Sequence, residues 1–407
     1  MMRIAVVGGG IAGTSAAFSA RCFDCEAEVI IVSEEPFSLY SPCVLADYVS
    51  GEIQRDQVFL KSPADYFRYG IKTIFNERVK KIDVVNHCLK VGDSVLPYDK
   101  LIIATGSHSV IPSIKGSRLK GIFSFKNLAD ADEVLRWVLK GSNSAAVVGA
   151  GPIGIEVAVA LRKRGLQVFL IEILDRILPR LFDGDLADLL ERPLAENGVQ
   201  VFKKTKVMEI FGEDTVRGVE LADGRIECDL VVLCTGTKPN VELAQEAGIV
   251  VGPQGGIQVN EMLMTNMNGV YSCGDCAEIS EGLSALWADA RREGTVAGAN
   301  AVGIMKRFTK LLNLTMISIY GVRAASVGNV LGTDRISRSD GKGGRSRYRL
   351  LNSKGKNVAA QIIEPDRDTY AVVNAVVMGD EWVAMRHPIL AGLLNPAQKN
   401  RLEMLNY

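Results

Sequence analysis

Two glycine-rich turns stand about 140 residues apart in this chain, each set between an apolar strand and a small-residue helix. The first passes from Arg3-Ile4-Ala5-Val6-Val7 into Gly8-Gly9-Gly10-Ile11-Ala12-Gly13, and the next apolar run is Val29-Ile30-Ile31-Val32-Ser33-Glu34. The second passes from Ala145-Ala146-Val147-Val148 into Gly149-Ala150-Gly151-Pro152-Ile153-Gly154, and then reaches Val168-Phe169-Leu170-Ile171-Glu172. At this spacing the first glycine permits a tight turn, the second lets a pyrophosphate approach the backbone, and the third lets helix and strand pack closely. The helix N-terminus then presents free N–H groups and partial positive charge to the phosphates. A carboxylate about twenty residues further on can accept hydrogen bonds from a ribose, and Glu34 and Glu172 stand there. Two complete copies predict an α/β chain with two Rossmann-like domains, each holding a dinucleotide.

Composition agrees with that class. A chain of 407 residues has room for two or three domains. With 47% hydrophobic residues it can bury large cores. The 47 basic and 47 acidic residues cancel, so no charge excess points to nucleic acid. No apolar stretch reaches the length of a membrane span, and the eight cysteines lack a dense framework, which leads to the expectation of a reducing cytoplasm. Cys22-x-x-Cys25 and Cys273-x-x-Cys276 are isolated pairs in a chain with three histidines, so no metal site is expected.

Three further segments repeat one theme. Asp99 to Gly106 reads as a strand closing in Ala104-Thr105-Gly106, and Asp229 to Gly236 repeats it, ending in Thr235-Gly236 with Pro239-Asn240 beyond. Gly269 to Ala277 is a strand leading into Gly274-Asp275. In this order the motifs resemble the FAD-dependent pyridine nucleotide–disulfide oxidoreductases over residues 1 to about 305. The resemblance implies an FAD domain split in sequence (1–111 and 239–308), an inserted NAD(H) domain (112–238) and a C-terminal α+β dimerisation domain (309–407). It implies that Gly8, Gly10 and Gly13 hold the FAD pyrophosphate, Glu34 its adenosine ribose and Asp275 its ribityl or pyrophosphate region, with Thr105, Gly106, Gly236 and Gly274 in the closing turns. It also implies a helix from Ala285 to Gly294 whose N-terminus faces the flavin. Gly149, Gly151, Gly154 and Glu172 would bind NADH, since a 2′-phosphate would meet the Glu172 carboxylate; Arg176 nearby works against that discrimination. Glu156 resembles a family glutamate beside the nicotinamide; the alternative is a solvated acid near a helix N-terminus.

The tail reads as strands at Leu314–Tyr320, Ala325–Gly328 and Lys356–Ile363, a solvated hairpin tip from Arg335 to Arg347, and a helix from Asp368 to Met378. It resembles the interface domain through which the family forms homodimers.

The electron acceptor turns on the stretch Tyr40-Ser41-Pro42-Cys43-Val44. A CxxxxC centre is absent, and Cys43 falls where the single-cysteine branch (NADH oxidase, NADH peroxidase, coenzyme A disulfide reductase) places a redox thiol at a helix N-terminus. Such a thiolate attacks a disulfide or becomes a sulfenic acid. Ser33-Glu34-Glu35-Pro36 and Tyr40 also resemble the rubredoxin- and ferredoxin-reductase branch, where no cysteine takes part and a small protein receives the electrons. The readings are an NADH-dependent FAD oxidoreductase delivering electrons through Cys43 to dioxygen, peroxide or a low-molecular-weight disulfide or polysulfide; an electron-transfer reductase or NADH-oxidising subunit of a larger complex; or a flavoprotein whose redox state controls a partner.

Overall fold

A computed structural model describes residues 1–310, 313–328, 335–340, 347–353 and 356–363. The chain divides into two compact units, one formed by residues 1–110, 126–131 and 236–311, the other by 111–125, 132–235 and 312–407.

In the first unit, Arg3–Val7 lies inside a five-stranded parallel sheet, ordered Val270–Ser272, Lys100–Ile103, Arg3–Val7, Glu28–Ser33, Ile71–Phe75. The register sets Val6 beside Ile31 on one side and Ile102 on the other. Both faces are covered, which is why these strands are continuously apolar rather than alternating. Ile4 and Val6 face a core shared with Ala12, Ala16 and Ala297, while Ala5 and Val7 face one shared with Val79 and Leu89.

The fingerprint helix Ile11–Phe23 is rich in alanine, and its small face meets the helix Trp287–Ala301 backbone to backbone. A Cβ on Gly294 would strike the Ala12 carbonyl, and one on Gly298 the Ala16 carbonyl. Both contacts advance by four residues, so the two helices run parallel in fixed register.

The second unit repeats the plan, ordered Val199–Phe202, Gln167–Ile171, Ser144–Val148, Leu230–Leu233, Ile122–Ser124, all parallel. Its helix Pro152–Lys163 follows the second glycine turn, with Pro152 at a first-turn position where its missing N–H costs nothing.

In the tail, Leu314–Ile319, Val322–Gly328 and Lys356–Ile363 are strands, as the sequence suggests. The expected hairpin tip is corrected in part: Arg335–Asp340 is itself a strand, paired antiparallel with Arg347–Ser353 in the same five-stranded sheet. Backbone pairing needs no apolar alternation, and RISRSD offers none that a sequence reading could follow. Within this unit Ser326 and Gln361 both donate to the Leu181 carbonyl, at 2.9 and 3.1 Å. The helix expected at Asp368–Met378 lies outside the described residues.

Candidate active site

The first glycine turn separates its glycines by what surrounds them. Gly8 has φ +115°, and a Cβ there would collide with the Ala104 carbonyl; a Cβ on Gly13 would collide with the Gly8 carbonyl. Gly10 has nothing within 4 Å of its Cβ position. The second turn behaves alike: Gly149 is blocked by the Cys234 carbonyl and Gly154 by the Gly149 carbonyl, while Gly151 faces open space. The outer glycines therefore serve the protein's own packing, and the middle one leaves room beside a helix N-terminus, where a pyrophosphate fits.

Glu34 follows the strand Glu28–Ser33 and is exposed, with Arg78 3.7 Å away. Glu172 is buried instead, accepting the Ala150 N–H at 2.7 Å on one oxygen and the Leu174 N–H at 2.9 Å on the other. Ala150 thereby ties the acid to the second glycine turn. Arg176 is committed elsewhere, donating to Asp175 at 2.7 Å and to the Phe182 and Pro179 carbonyls. Its opposition to Glu172, expected from sequence, is thereby reduced.

The turns after the closing strands are joined within the first unit. Thr105 donates its hydroxyl to the Asn240 carbonyl at 2.7 Å, and the Asn240 amide donates to the Thr105 carbonyl at 2.8 Å. The Asn240 backbone N–H donates to the Gly106 carbonyl at 2.9 Å, and the Gly236 carbonyl accepts from the Val110 N–H. Gly274 donates its N–H to Glu293 at 2.7 Å. Asp275 accepts from Ser107 at 2.7 Å and from the Lys126 ammonium at 2.9 Å. Sequence reading missed Lys126 and Ser107, because nothing local in the chain marks residues 149 and 168 positions away as partners. Glu293 was also missed; burial first, then the Asp289 and Asp275 charges, push its carboxyl up to about 8, against the pull of the Gly274 N–H.

Cys43 is exposed and lies in the short 3-10 turn Pro42–Val44, ahead of the helix Leu45–Ser50. The thiol thus stands in the 3-10 turn that leads into the N-terminus of a six-residue helix, which supplies little dipole. Exposure still separates it from the interior cysteines. Burial pushes the Cys228 thiol up to about 12, and raises Cys273 and Cys276 as well. Cys22 and Cys25 are exposed too, but stand at the C-terminal end of their helix, where the dipole opposes a thiolate. Glu156 is the fifth residue of its helix and half-buried, deeper than a solvated first-turn acid. Among the described residues no group of three or more His, Cys, Asp or Glu side chains could hold a metal ion. No helix among them is long and apolar enough to cross a membrane.

Residues 2–294 match the pyridine nucleotide-disulphide oxidoreductase family. The chain belongs to this family. It is 31% identical over 404 residues to an NADH oxidase of Methanocaldococcus jannaschii, covering 95% of this chain and 89% of that protein. It is 31% identical over 336 residues to a CoA-dependent NAD(P)H sulfur oxidoreductase of Pyrococcus abyssi, covering 80% and 75% of the two chains. Its fold is similar to that of an NAD-dependent persulfide reductase from A. fulgidus, with a TM-score of 0.87, 29% identity and 93% and 77% coverage. The chain is a flavoprotein oxidoreductase whose cofactors are FAD and NADH, as the paired glycine turns imply.

Proposed function

We propose that the protein oxidises NADH and delivers the two electrons to a sulfur–sulfur acceptor, a low-molecular-weight disulfide, persulfide or polysulfide, through Cys43. The observation that carries this reading is Cys43 itself, exposed in the stretch where the resemblance puts a redox thiol, while the cysteines of the Gly274–Asp275 turn are buried. The names of the sulfur oxidoreductase and persulfide reductase relatives point the same way. When bound, FAD supplies two-electron exchange between nicotinamide and acceptor.

The chain's own residues bind and orient. The Gly8–Gly13 turn and the N-terminus of its helix take the FAD pyrophosphate, Glu34 the adenosine ribose and Asp275 the polyol, with Thr105, Gly106 and Gly274 shaping the closing turns. Gly149, Gly151, Gly154 and Glu172 form the corresponding NADH site, and Glu156 lies by the nicotinamide. The Cys43 thiolate attacks one sulfur of the acceptor; the S–S bond breaks, a mixed disulfide forms on Cys43 and the other sulfur leaves as a thiolate. Two electrons from NADH and a proton then break the mixed disulfide, so that the acceptor's second half leaves as a thiol and Cys43 returns to the thiolate.

In this reading 1–111 with 239–308 is the FAD domain, 112–238 the NADH domain and 309–407 the surface of a homodimer. The exposed Leu314 and Met316 on the tail's outer strand favour the last assignment.

Purified protein should be yellow and release FAD on heating. NADH consumption should be fast with a disulfide or polysulfide and slow with a rubredoxin or ferredoxin. Fast turnover with a protein carrier alone would replace this reading with direct electron transfer from flavin.

A further inference from the structure

The loop after Glu172 is pinned at two places, Leu178 and Leu181. The Leu178 N–H donates to the Ala150 carbonyl at 2.8 Å. Ala150 stands between Gly149 and Gly151 in the second glycine turn, and its own N–H is bound to the Glu172 carboxylate at 2.7 Å. Three residues beyond Leu178, the Leu181 carbonyl takes two donors from the tail sheet, the Ser326 hydroxyl at 2.9 Å and the Gln361 amide at 3.1 Å. These donors sit directly opposite each other on paired antiparallel strands, so they share one face of the sheet.

Between the pins the turn is closed on itself. The Leu181 and Phe182 N–H groups both donate to the Leu178 carbonyl, at 2.9 and 3.0 Å, and Arg176 reaches the Phe182 carbonyl at 3.1 Å. Leu178 has φ +47°, a left-handed backbone in which a leucine Cβ crowds the following carbonyl. Such a conformation persists where its surroundings over-determine it, and here the leucine side chain is fully buried. Ser326 and Gln361 are as deep, 2% and 1% exposed. Serine and glutamine are seldom found at that depth unless their hydrogen bonds are in use, and both spend a donor on this one carbonyl.

We propose that Ser326 and Gln361 are positioning residues for NADH: by holding the Leu181 carbonyl they fix the strained turn 178–182, which sets Ala150 and, through it, the Glu172 carboxylate that receives the ribose. The inference rests on the assignment of the second glycine turn and Glu172 to NADH. Such a coupling is reciprocal, so the bound nucleotide steadies the tail strands in return.

NAD+ reads the site without turnover, because it cannot reduce the flavin. In holoprotein carrying Ser326→Ala and Gln361→Leu, the calorimetric Kd for NAD+ should rise about three- to tenfold, the factor expected when the competent loop is populated about a tenth to a third of the time. KM for NADH should rise alike, while kcat at saturating NADH stays within about twofold. A role in folding alone would lower the melting temperature and leave the affinities unmoved. Wild-type protein supplies a second reading that needs no variant: NAD+ should slow amide exchange in Val322–Gly328 and Lys356–Ile363. An unchanged Kd in the double variant, or unchanged exchange in those strands, overturns the proposal. If Glu172→Ala leaves NAD+ affinity intact, the nucleotide assignment of the second turn falls instead, a distinct outcome.

Discussion

Thr105 and Asn240, separated by 135 positions in sequence, exchange hydrogen bonds in both directions, hydroxyl to carbonyl at 2.7 Å and amide to carbonyl at 2.8 Å. The adjoining Ser107–Ser109 and Thr237–Pro239 pair as antiparallel strands. The first unit's segments ending at Val110 and beginning at Gly236 are thus knitted together, and the turn bearing Thr105 and Gly106 is held by residues from after the second nucleotide fold.

Gly294, packed on the fingerprint helix, and Gly10, in the first glycine turn, should divide by experiment as they do by contact. Gly294→Ala drives a methyl into the Ala12 carbonyl and should destabilise the FAD-free protein by about 1–3 kcal/mol, the usual range for overpacking. Gly10→Ala meets nothing within 4 Å and has φ −70°, open to any L-residue. It should leave apoprotein stability unchanged and weaken FAD retention. Denaturant unfolding with and without FAD checks both, and equal apoprotein losses would contradict the division.

Glu172→Ala removes the acceptor of two backbone N–H groups and the partner proposed for the ribose. Stability should fall by about 1–3 kcal/mol, KM for NADH should rise about tenfold, and the preference over NADPH should shrink. Steady-state kinetics with both nucleotides reads this out. A preference that survives the change would remove Glu172 as the discriminator.

Cys43→Ser should still accept hydride from NADH in a stopped-flow mixing experiment. Turnover with a disulfide or polysulfide should drop by about a hundredfold or more, the scale on which loss of a nucleophile is felt. Undiminished turnover in the serine variant would mean that the thiol is a bystander.

Glu293 sets a pH dependence. Its carboxyl is raised from 4.5 to about 8 in the fold, so the folded protein holds a proton that the unfolded chain releases. The stabilising contribution is complete below about 4.5 and is lost progressively as pH rises to about 8. Glu293→Gln keeps an acceptor for the Gly274 N–H without the titration. Its melting temperature should gain on the wild type between pH 5 and 9, and parallel curves would assign the slope to other groups.

The plan of both nucleotide folds was legible because it is local: a strand, three glycines, a helix and an acid at set spacing specify each turn wherever the chain goes next. Glu172 was found that way, and the structure adds that both its oxygens brace the backbone. The Lys126–Asp275 ion pair and the bonds of Ser326 and Gln361 to Leu181 were invisible, since each depends on which strands become neighbours. Arg335–Asp340 escaped notice for another reason: a strand held by backbone pairing carries no periodic signal when its residues are mostly serine and arginine. At Cys43 the motif located the thiol, but its position inside a 3-10 turn depends on where the following helix starts, and boundaries are weakly encoded.

The seam between Ala12–Ala16 and Gly294–Gly298 bears on how the protein is made. The first helix leaves the ribosome early, yet its partner begins only at Trp287, and the edge strand Val270–Ser272 comes almost as late. Until then the alanine face of the nascent helix stays uncovered, and contacts of such long range close slowly. Translation between the first helix and Ala301 is therefore the interval in which the nascent polypeptide most needs protection from aggregation.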